Sequence, residues 1–169
     1  FKRNSIQGDS IISEIYQKLG VETRYEKDYI IISKNKTANL PKRLKLNLSD
    51  SPDLAQTIAV TCLGLGIECE LSGLHTLKIK ETDRIEALKK EFIKLGVGNI
   101  KTSDNTIYFK GDQQLNNNIK IGTYQDHRMA LSFAALAVII DISIESPNVV
   151  SKSFPNYWKN LKTLGFKIN

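Results

Sequence analysis

Residues 78–84, which read "KIKETDR", carry five ionisable side chains at the start of a helical pattern. The pattern ends at Gly96, a residue type that is common just after a helix. Its apolar residues recur at helical spacing: Ile85, Leu88, Phe92 and Leu95. Backbone N–H groups at a helix start favour anions, so the acids are expected there, but the two lysines and the arginine gain nothing from the helix dipole. The run indicates an anion-binding site, with a solvated surface as the alternative.

Polar residues that packing does not explain also occur in three other loops, at residues 49–57, 123–133 and 151–158. Arg84 and Arg128 each lie in the first turn of a predicted helix, where a guanidinium group can join backbone N–H donors around one anion. Arginine suits bidentate capture of carboxylate or phosphate, and lysine supplies a mobile point charge. This pattern favours a ligand with several negative charges.

The bulk composition predicts one domain with a sizeable core, since 41% of the 169 residues are hydrophobic and 25% are charged. The net charge of +6 permits a polyanionic partner. However, the lysines are spread along the chain and aromatic residues are not interleaved with them, so nucleic-acid binding is not expected. No membrane attachment is expected either, because no apolar run is long enough to span a bilayer and no signal-peptide pattern opens the chain. The first residue is Phe1 rather than Met, which suggests a piece of a longer chain.

Cys62 and Cys69 are predicted to be buried, reduced thiols, because one falls in an apolar helix and the other in an apparent strand. Their spacing is not that of a redox pair, and reduced thiols imply a cytoplasmic location. His75 and His127 have no carboxylates around them at metal-ligand spacing. The sequence therefore predicts no metal site.

One structural unit is repeated along the chain. Each copy has an amphipathic helix, a Leu-Gly stop, a strand, a polar turn and a second strand, and the stops fall at Gly20, Gly96 and Gly165. Between the copies lie two further helices, at residues 51–66 and 125–140, which are far more apolar than the amphipathic ones. Each lies between short strand-like stretches. The full unit reads strand, buried helix, strand, amphipathic helix and hairpin. The opening copy lacks its own buried helix.

The four polar loops and the opening "SIQGD" resemble, in order and at matching spacing, the C-terminal half of the EPSP synthase family. The characteristic stretches are Lys-Glu-Thr-Asp-Arg at residues 80–84 and Asp-His-Arg-Met-Ala at residues 126–130. The resemblance implies an α/β (α+β) fold of two lobes. Each lobe contains three βαβαββ units, with parallel buried helices inside and other helices and sheets outside.

By this resemblance, residues 1–169 form a single lobe, the C-terminal lobe of a two-lobed enzyme. Its units are expected at roughly 1–46 (partial), 47–112 and 113–169. The missing N-terminal lobe is a required partner, and the full enzyme is expected to be a monomer. The chain alone is expected to fold but to be inactive.

The family is known for transferring the enolpyruvyl group of phosphoenolpyruvate to the 5-hydroxyl of shikimate 3-phosphate in chorismate biosynthesis, without a metal or cofactor. The resemblance assigns Arg84, Arg128 and Lys152 to phosphoenolpyruvate. It assigns Lys80 and Thr76 to shikimate 3-phosphate, although many family members carry asparagine in place of this threonine.

Three carboxylates are the candidates for proton transfer. Asp53 matches the acid that faces the shikimate hydroxyls and could accept the 5-hydroxyl proton, although an acid after a helix-start proline needs no function. Glu81 is the first candidate for the proton of the vinyl methylene group, and Asp126 is the second; each lies near a cation that can tune its pKa. His127 is a supporting residue, and Asp83 is expected to cap or orient its neighbours.

Two alternatives remain. One is the sibling enzyme that transfers the same group to a UDP-sugar, and the other is a non-catalytic anion-binding lobe. If the helices stack in parallel, Arg84, Arg128 and Lys152 should line one open face that attracts anions. Glu81 and Asp126 should then lie beside them, with Asp53 at the edge.

Overall fold

The computed structural model describes residues 5–168. The α-helices in this part are α1 (Ile12–Lys18), α2 (Ala55–Gly64), α3 (Arg84–Lys94), α4 (His127–Ala134) and α5 (Tyr157–Thr163). The strands are β1 (Val21–Tyr25), β2 (Ile30–Lys34), β3 (Arg43–Asn47), β4 (Glu68–Ser72), β5 (Lys101–Thr102), β6 (Thr106–Phe109), β7 (Ile119–Ile121) and β8 (Ile142–Ile144). Short 3-10 helices cover Gly8–Ile11, Pro52–Leu54, His75–Ile79, Ala135–Val138 and Pro147–Lys152. The predicted α/β class is confirmed.

The middle of the chain contains one complete βαβαββ unit. Strands β3 and β4 are parallel and are joined through α2, as a parallel pair requires a crossover connection. After α3 the chain forms the antiparallel pair β5–β6, and β6 pairs with β4, so the sheet order is β3-β4-β6-β5. The unit begins at Arg43, ahead of the predicted boundary at residue 47. The same strand–helix–strand arrangement recurs in β7, α4 and β8, whose strands are also parallel.

The three Leu-Gly stops behave as predicted. Gly20, Gly96 and Gly165 have φ values of +81°, +97° and +96°, which only glycine adopts without strain. After the first two, the chain enters the antiparallel hairpin β1–β2 and the pair β5–β6.

The strand predicted after Gly165 is absent from residues 166–168. The backbone N–H of Phe166 instead donates to the carbonyl of Leu161 at 3.1 Å, which closes the end of α5. A strand forms only when its backbone groups pair with a neighbouring strand. Here the backbone N–H of Phe166 is already used by the hydrogen bond that closes α5.

Helix α2 is buried on nearly all sides, as its composition predicts. The helix predicted at residues 125–140 is shorter and more one-sided. It begins at His127 and changes to a 3-10 helix after Ala134, and Val138 and Ile139 are 70% and 51% exposed. The prediction of full burial is therefore wrong at the C-terminal end of this segment.

The main core lies between α2, α3, α4 and the four-stranded sheet, with Phe92 packed edge-on against Phe109 and Phe133. Cys62 and Cys69 are buried in this core as free thiols, as predicted. Among residues 5–168, no helix combines the length and apolar character needed to cross a membrane.

Candidate functional site

Arg84 is the centre of a cluster of charged side chains. Its Nε donates to Asp126 Oδ2 at 2.6 Å, Nη1 donates to Asp53 Oδ1 at 2.8 Å, and Nη2 donates to Glu81 Oε2 at 2.6 Å. Arg84 is only 1% exposed, and Asp126 is completely buried. A buried guanidinium group is tolerated here because three carboxylates compensate its charge.

Asp53 joins the cluster to two further cations. One carboxylate oxygen lies 3.3 Å from Lys80 Nζ as well as 2.8 Å from Arg84, and the other lies 3.2 Å from Arg128 Nη2. The Arg128 side chain also donates to the backbone carbonyl of Asp53, at 3.3 Å. The loops at residues 49–57, 78–87 and 123–133 therefore meet at one place.

Two helix caps fix the arginines. Asp83 caps α3 by accepting a hydrogen bond from the backbone N–H of Glu86 at 3.0 Å, so the capping role predicted for it is confirmed. Asp126 caps α4 in the same way, accepting from the backbone N–H of Arg128 at 2.8 Å. Because Asp126 also accepts from Arg84, its carboxylate connects the starts of both helices.

The cluster is electrically balanced rather than strongly positive. It contains three cations and three carboxylates: Lys80, Arg84 and Arg128, with Asp53, Glu81 and Asp126. The expectation that Arg84 lines an open face is wrong, because its side chain is buried. Asp126 lies beside Arg84, as expected, but it is buried as well. Burial costs each of these ions its solvation, and the attraction between Arg84 and the carboxylates offsets this cost, so the paired groups can lie inside the protein.

The surroundings lower the pKa of two of these carboxyl groups. Burial by itself would raise the pKa of Asp53, but the charges of Arg128, Lys80 and Arg84 outweigh it and hold this pKa below its ordinary value. The pKa of Glu81 is also lowered, first by a hydrogen bond from its own backbone N–H and then by Arg84. Both groups are therefore ionised at neutral pH.

We expect Asp53 to make stability depend on pH. A lowered pKa in the folded state stabilises the fold above the unfolded value of about 3.9, and this stabilisation is lost as pH falls through the lowered pKa. The wild type should therefore exceed Asp53→Asn in free energy of unfolding at pH 6 by more than it does at pH 3. Urea denaturation at both pH values measures this, with exposed Asp28→Asn as the control. A difference that does not change with pH would contradict the charge compensation.

The remaining candidates lie at the edge of the cluster or apart from it. His127 is largely buried, with Nδ1 4.0 Å from Asp126 Oδ1. The hydroxyl oxygen of Thr76 is buried, and within the described chain it has no hydrogen-bond partner. Lys152 is exposed at the end of the Pro147–Lys152 3-10 helix and has no described contact with the cluster. Its place on a face shared with the two arginines stays a prediction. Lys78 is exposed and pairs with Asp104 at 2.6 Å.

Gln56 also belongs to the site, although it was not predicted from the sequence. It is completely buried in α2, and its Nε2 lies 3.5 Å from Asp126 Oδ2, while no described residue hydrogen-bonds to its Oε1. An amide among the otherwise apolar buried residues of this helix was the available signal.

The site contains no apparent metal centre. Within residues 5–168, no three His, Cys, Asp or Glu side chains are grouped so that they could bind a metal ion. The carboxylates instead face arginine and lysine side chains. The arrangement provides three cations close together, of which Lys80 and Arg128 are partly exposed.

The solved EPSP synthase of Acinetobacter baumannii has a similar fold, with a TM-score of 0.72. The similarity covers 92% of this chain and 39% of that one, at 20% sequence identity.

Curated relatives are much closer in sequence. A 3-phosphoshikimate 1-carboxyvinyltransferase of Bacteroides fragilis is 45% identical over 168 residues, which is 98% of this chain and 40% of the relative. One from Saccharolobus islandicus is 34% identical over 163 residues, 96% of this chain and 38% of the relative. The chain thus spans about two-fifths of the length of these relatives.

The sequence also matches a family model, over residues 1–161. The model describes EPSP synthase (3-phosphoshikimate 1-carboxyvinyltransferase). Since the match covers nearly the whole chain, the chain belongs to the EPSP synthase family.

Proposed function

We propose that this chain is part of a transferase that moves the enolpyruvyl group of phosphoenolpyruvate to the 5-hydroxyl of shikimate 3-phosphate. The observation that carries the proposal is the ion-pair cluster, in which Asp53 bridges Arg84 and Arg128 from separate loops. These loops hold the residues that the family resemblance assigns to the two substrates.

The two substrates together carry two phosphates and two carboxylates, which need several cations within one cleft. Arg128 and Lys80 are partly exposed, with side-chain exposures of 30% and 35%, and are suited to direct contact. Arg84 is buried and can bind phosphoenolpyruvate only by exchanging a carboxylate partner. Glu81 is the partner nearest to solvent, with 40% side-chain exposure. We therefore propose that a substrate anion displaces Glu81 from Arg84.

Displacement of Glu81 would free it for proton transfer. After leaving Arg84, Glu81 takes up a proton from solvent. In the addition step, the 5-hydroxyl oxygen bonds to C2 of phosphoenolpyruvate, its proton passes to Asp53, and Glu81 delivers its own proton to the C3 methylene group. In the elimination step, C3 returns a proton to Glu81, the C2–C3 double bond forms again and the bond from C2 to the phosphate oxygen breaks, and the released phosphate takes the proton held by Asp53. We assign the C3 proton to Glu81, because the alternative, Asp126, is fully buried and engaged by Arg84.

Charge stabilisation by the cations completes the proposal. Arg128 and Lys152 would bind phosphoenolpyruvate and stabilise the leaving phosphate, while Lys80 and Thr76 would bind shikimate 3-phosphate. The rest of the active site would come from the N-terminal lobe of a monomeric enzyme, since the relatives extend well beyond the matched segment. We also propose a cytoplasmic location, which the free cysteines support.

A chimera tests this function. In it, this chain replaces the matching segment of the Bacteroides fragilis relative. We expect the chimera to release phosphate when both phosphoenolpyruvate and shikimate 3-phosphate are present, and the chain alone to release none, because half of the cleft is missing. A coupled phosphate-release assay measures both proteins under the same conditions.

The controls separate enolpyruvyl transfer from simple hydrolysis. Omitting shikimate 3-phosphate should abolish release, because the phosphate leaves only after the hydroxyl has added. Equal release with and without this acceptor would contradict the proposed reaction, and so would robust synthesis by the chain alone.

A further inference from the structure

The turn before α4 has an unusual backbone. Tyr124 and Gln125 have φ values of +53° and +60°, which lie in the left-handed region that residues other than glycine rarely adopt. The pair comes directly before Asp126, which caps α4 and accepts from Arg84. Two consecutive strained residues persist only where their surroundings hold them.

A buried carboxylate on α3 holds the first of the two residues. The hydroxyl of Tyr124 donates to Glu91 Oε1 at 2.6 Å, and Glu91 is completely buried. Burial and the hydrogen bond to Glu91 raise the pKa of Tyr124, so its hydroxyl stays protonated and able to donate. This contact is independent of the ion-pair cluster around Arg84.

Glu91 is itself compensated and tightly enclosed. Lys94 Nζ lies 2.8 Å from Glu91 Oε1 and also donates to the carbonyl of Lys120 on β7. A Cβ on Gly122 would lie 3.1 Å from Glu91 Oε1 and 3.2 Å from the Tyr124 ring, closer than most side-chain contacts. Glycine at residue 122 therefore permits the close approach of these two side chains.

Helix α3 thus contacts the turn at two points. Arg84 and Glu91 are seven residues apart, so they lie two turns apart on the same face of the helix. Arg84 binds Asp126, and Glu91 binds Tyr124, two residues earlier in the turn. These two contacts fix the turn against α3. They thereby set the direction in which the chain continues from the turn to Arg128.

We propose that Tyr124 and Glu91 are positioning residues that hold the 123–126 turn so that Asp126 and Arg128 are preset for an anionic substrate. The identity of that substrate as phosphoenolpyruvate rests on the proposed function. The hydrogen bonds given above for Tyr124 and Glu91 do not involve a member of the Arg84 cluster. Both act through the backbone that joins Tyr124 to Asp126.

Hydrogen exchange of this chain tests the positioning without any assay of activity. We expect Tyr124→Phe to speed exchange of the Arg128 amide, which bonds to Asp126, by about tenfold. The Ala87 amide in α3, which bonds to the backbone carbonyl of Asp83, should change much less. Tyr29→Phe, at a 63% exposed tyrosine, is the control. Equal acceleration of both amides, or of neither, would overturn the proposal.

A second pair of variants guards against a general loss of folding. Glu91→Gln keeps an oxygen acceptor for Tyr124 and should leave Arg128 exchange near the wild-type rate. Glu91→Leu removes the acceptor and should behave like Tyr124→Phe, and combining it with Tyr124→Phe should add little, since one hydrogen bond joins the two residues. Additive effects in the double variant would count against a shared contact.

In the chimera, Tyr124→Phe should raise the KM for phosphoenolpyruvate about tenfold and leave the KM for shikimate 3-phosphate unchanged. A general structural defect would not separate the two substrates, so equal rises in both KM values would overturn the positioning role. A wild-type chimera without activity would refute the proposed function, while the exchange result for Arg128 would still decide whether the turn is held as proposed.

Discussion

Arg84→Met should lower the free energy of unfolding of this chain by about 3–5 kcal/mol. The substitution keeps a long side chain but removes the guanidinium group, so the completely buried Asp126 carboxylate loses its ionic partner. An unpaired buried charge is far more costly than a lost surface pair. Urea denaturation measures the change, provided that the m-values of the two proteins agree.

Two variants show whether the cost arises from the buried charge. Arg43→Met removes an arginine that is half exposed and pairs with Glu68 and Glu70, so it should lower the free energy of unfolding far less than Arg84→Met does. Adding Asp126→Asn to Arg84→Met should recover part of the loss, because asparagine keeps an oxygen for the α4 cap without the charge. A cost for Arg84→Met no greater than that for Arg43→Met would contradict the buried ion pair.

Asp53→Ala in the chimera should lower the turnover number by about 10² to 10⁴, the usual effect of removing a general base. Asp53 is suited to this role because its side chain is 26% exposed and its lowered pKa keeps it ionised at neutral pH. The KM for shikimate 3-phosphate should change much less, because the proton transfer occurs in the transition state.

Asp53→Asn and Asp28→Ala complete this test. Asparagine preserves size and some hydrogen bonding but cannot accept the proton, so Asp53→Asn should be nearly as slow as Asp53→Ala. Asp28 is exposed in the turn between β1 and β2, and its loss should leave turnover unchanged. Near-normal turnover of both Asp53 variants would leave Asp53 only the structural role of bridging the two arginines.

The repeated unit could be predicted from the sequence because each part has a local signal. The helical spacing of Leu88 and Phe92, and the stop at Gly96, depend only on neighbouring residues. The charged residues at 78–84 and 126–128 likewise indicated two of the loops that meet in the ion-pair cluster. The strand expected after Gly165 failed because a strand depends on a distant partner, which local sequence does not specify.

The arrangement inside the site was beyond local reasoning. Arg84 was expected on an open face that attracts anions, and its burial depends on carboxylates 31 and 42 residues away, at Asp53 and Asp126. Glu91 lies three residues after Leu88, on the buried face of α3, and this spacing was a usable signal for a buried acid. The left-handed turn at Tyr124 had no signal, because left-handed backbone usually occurs at glycine or asparagine.

Product analysis of the chimera tests the central claim most directly. Labelled phosphoenolpyruvate is offered with either shikimate 3-phosphate or a UDP-sugar, and the products and released phosphate are quantified together. The account predicts one enolpyruvyl ether of shikimate 3-phosphate for each phosphate released, and no transfer to the UDP-sugar. Transfer to the UDP-sugar, or phosphate release without the ether, would contradict it.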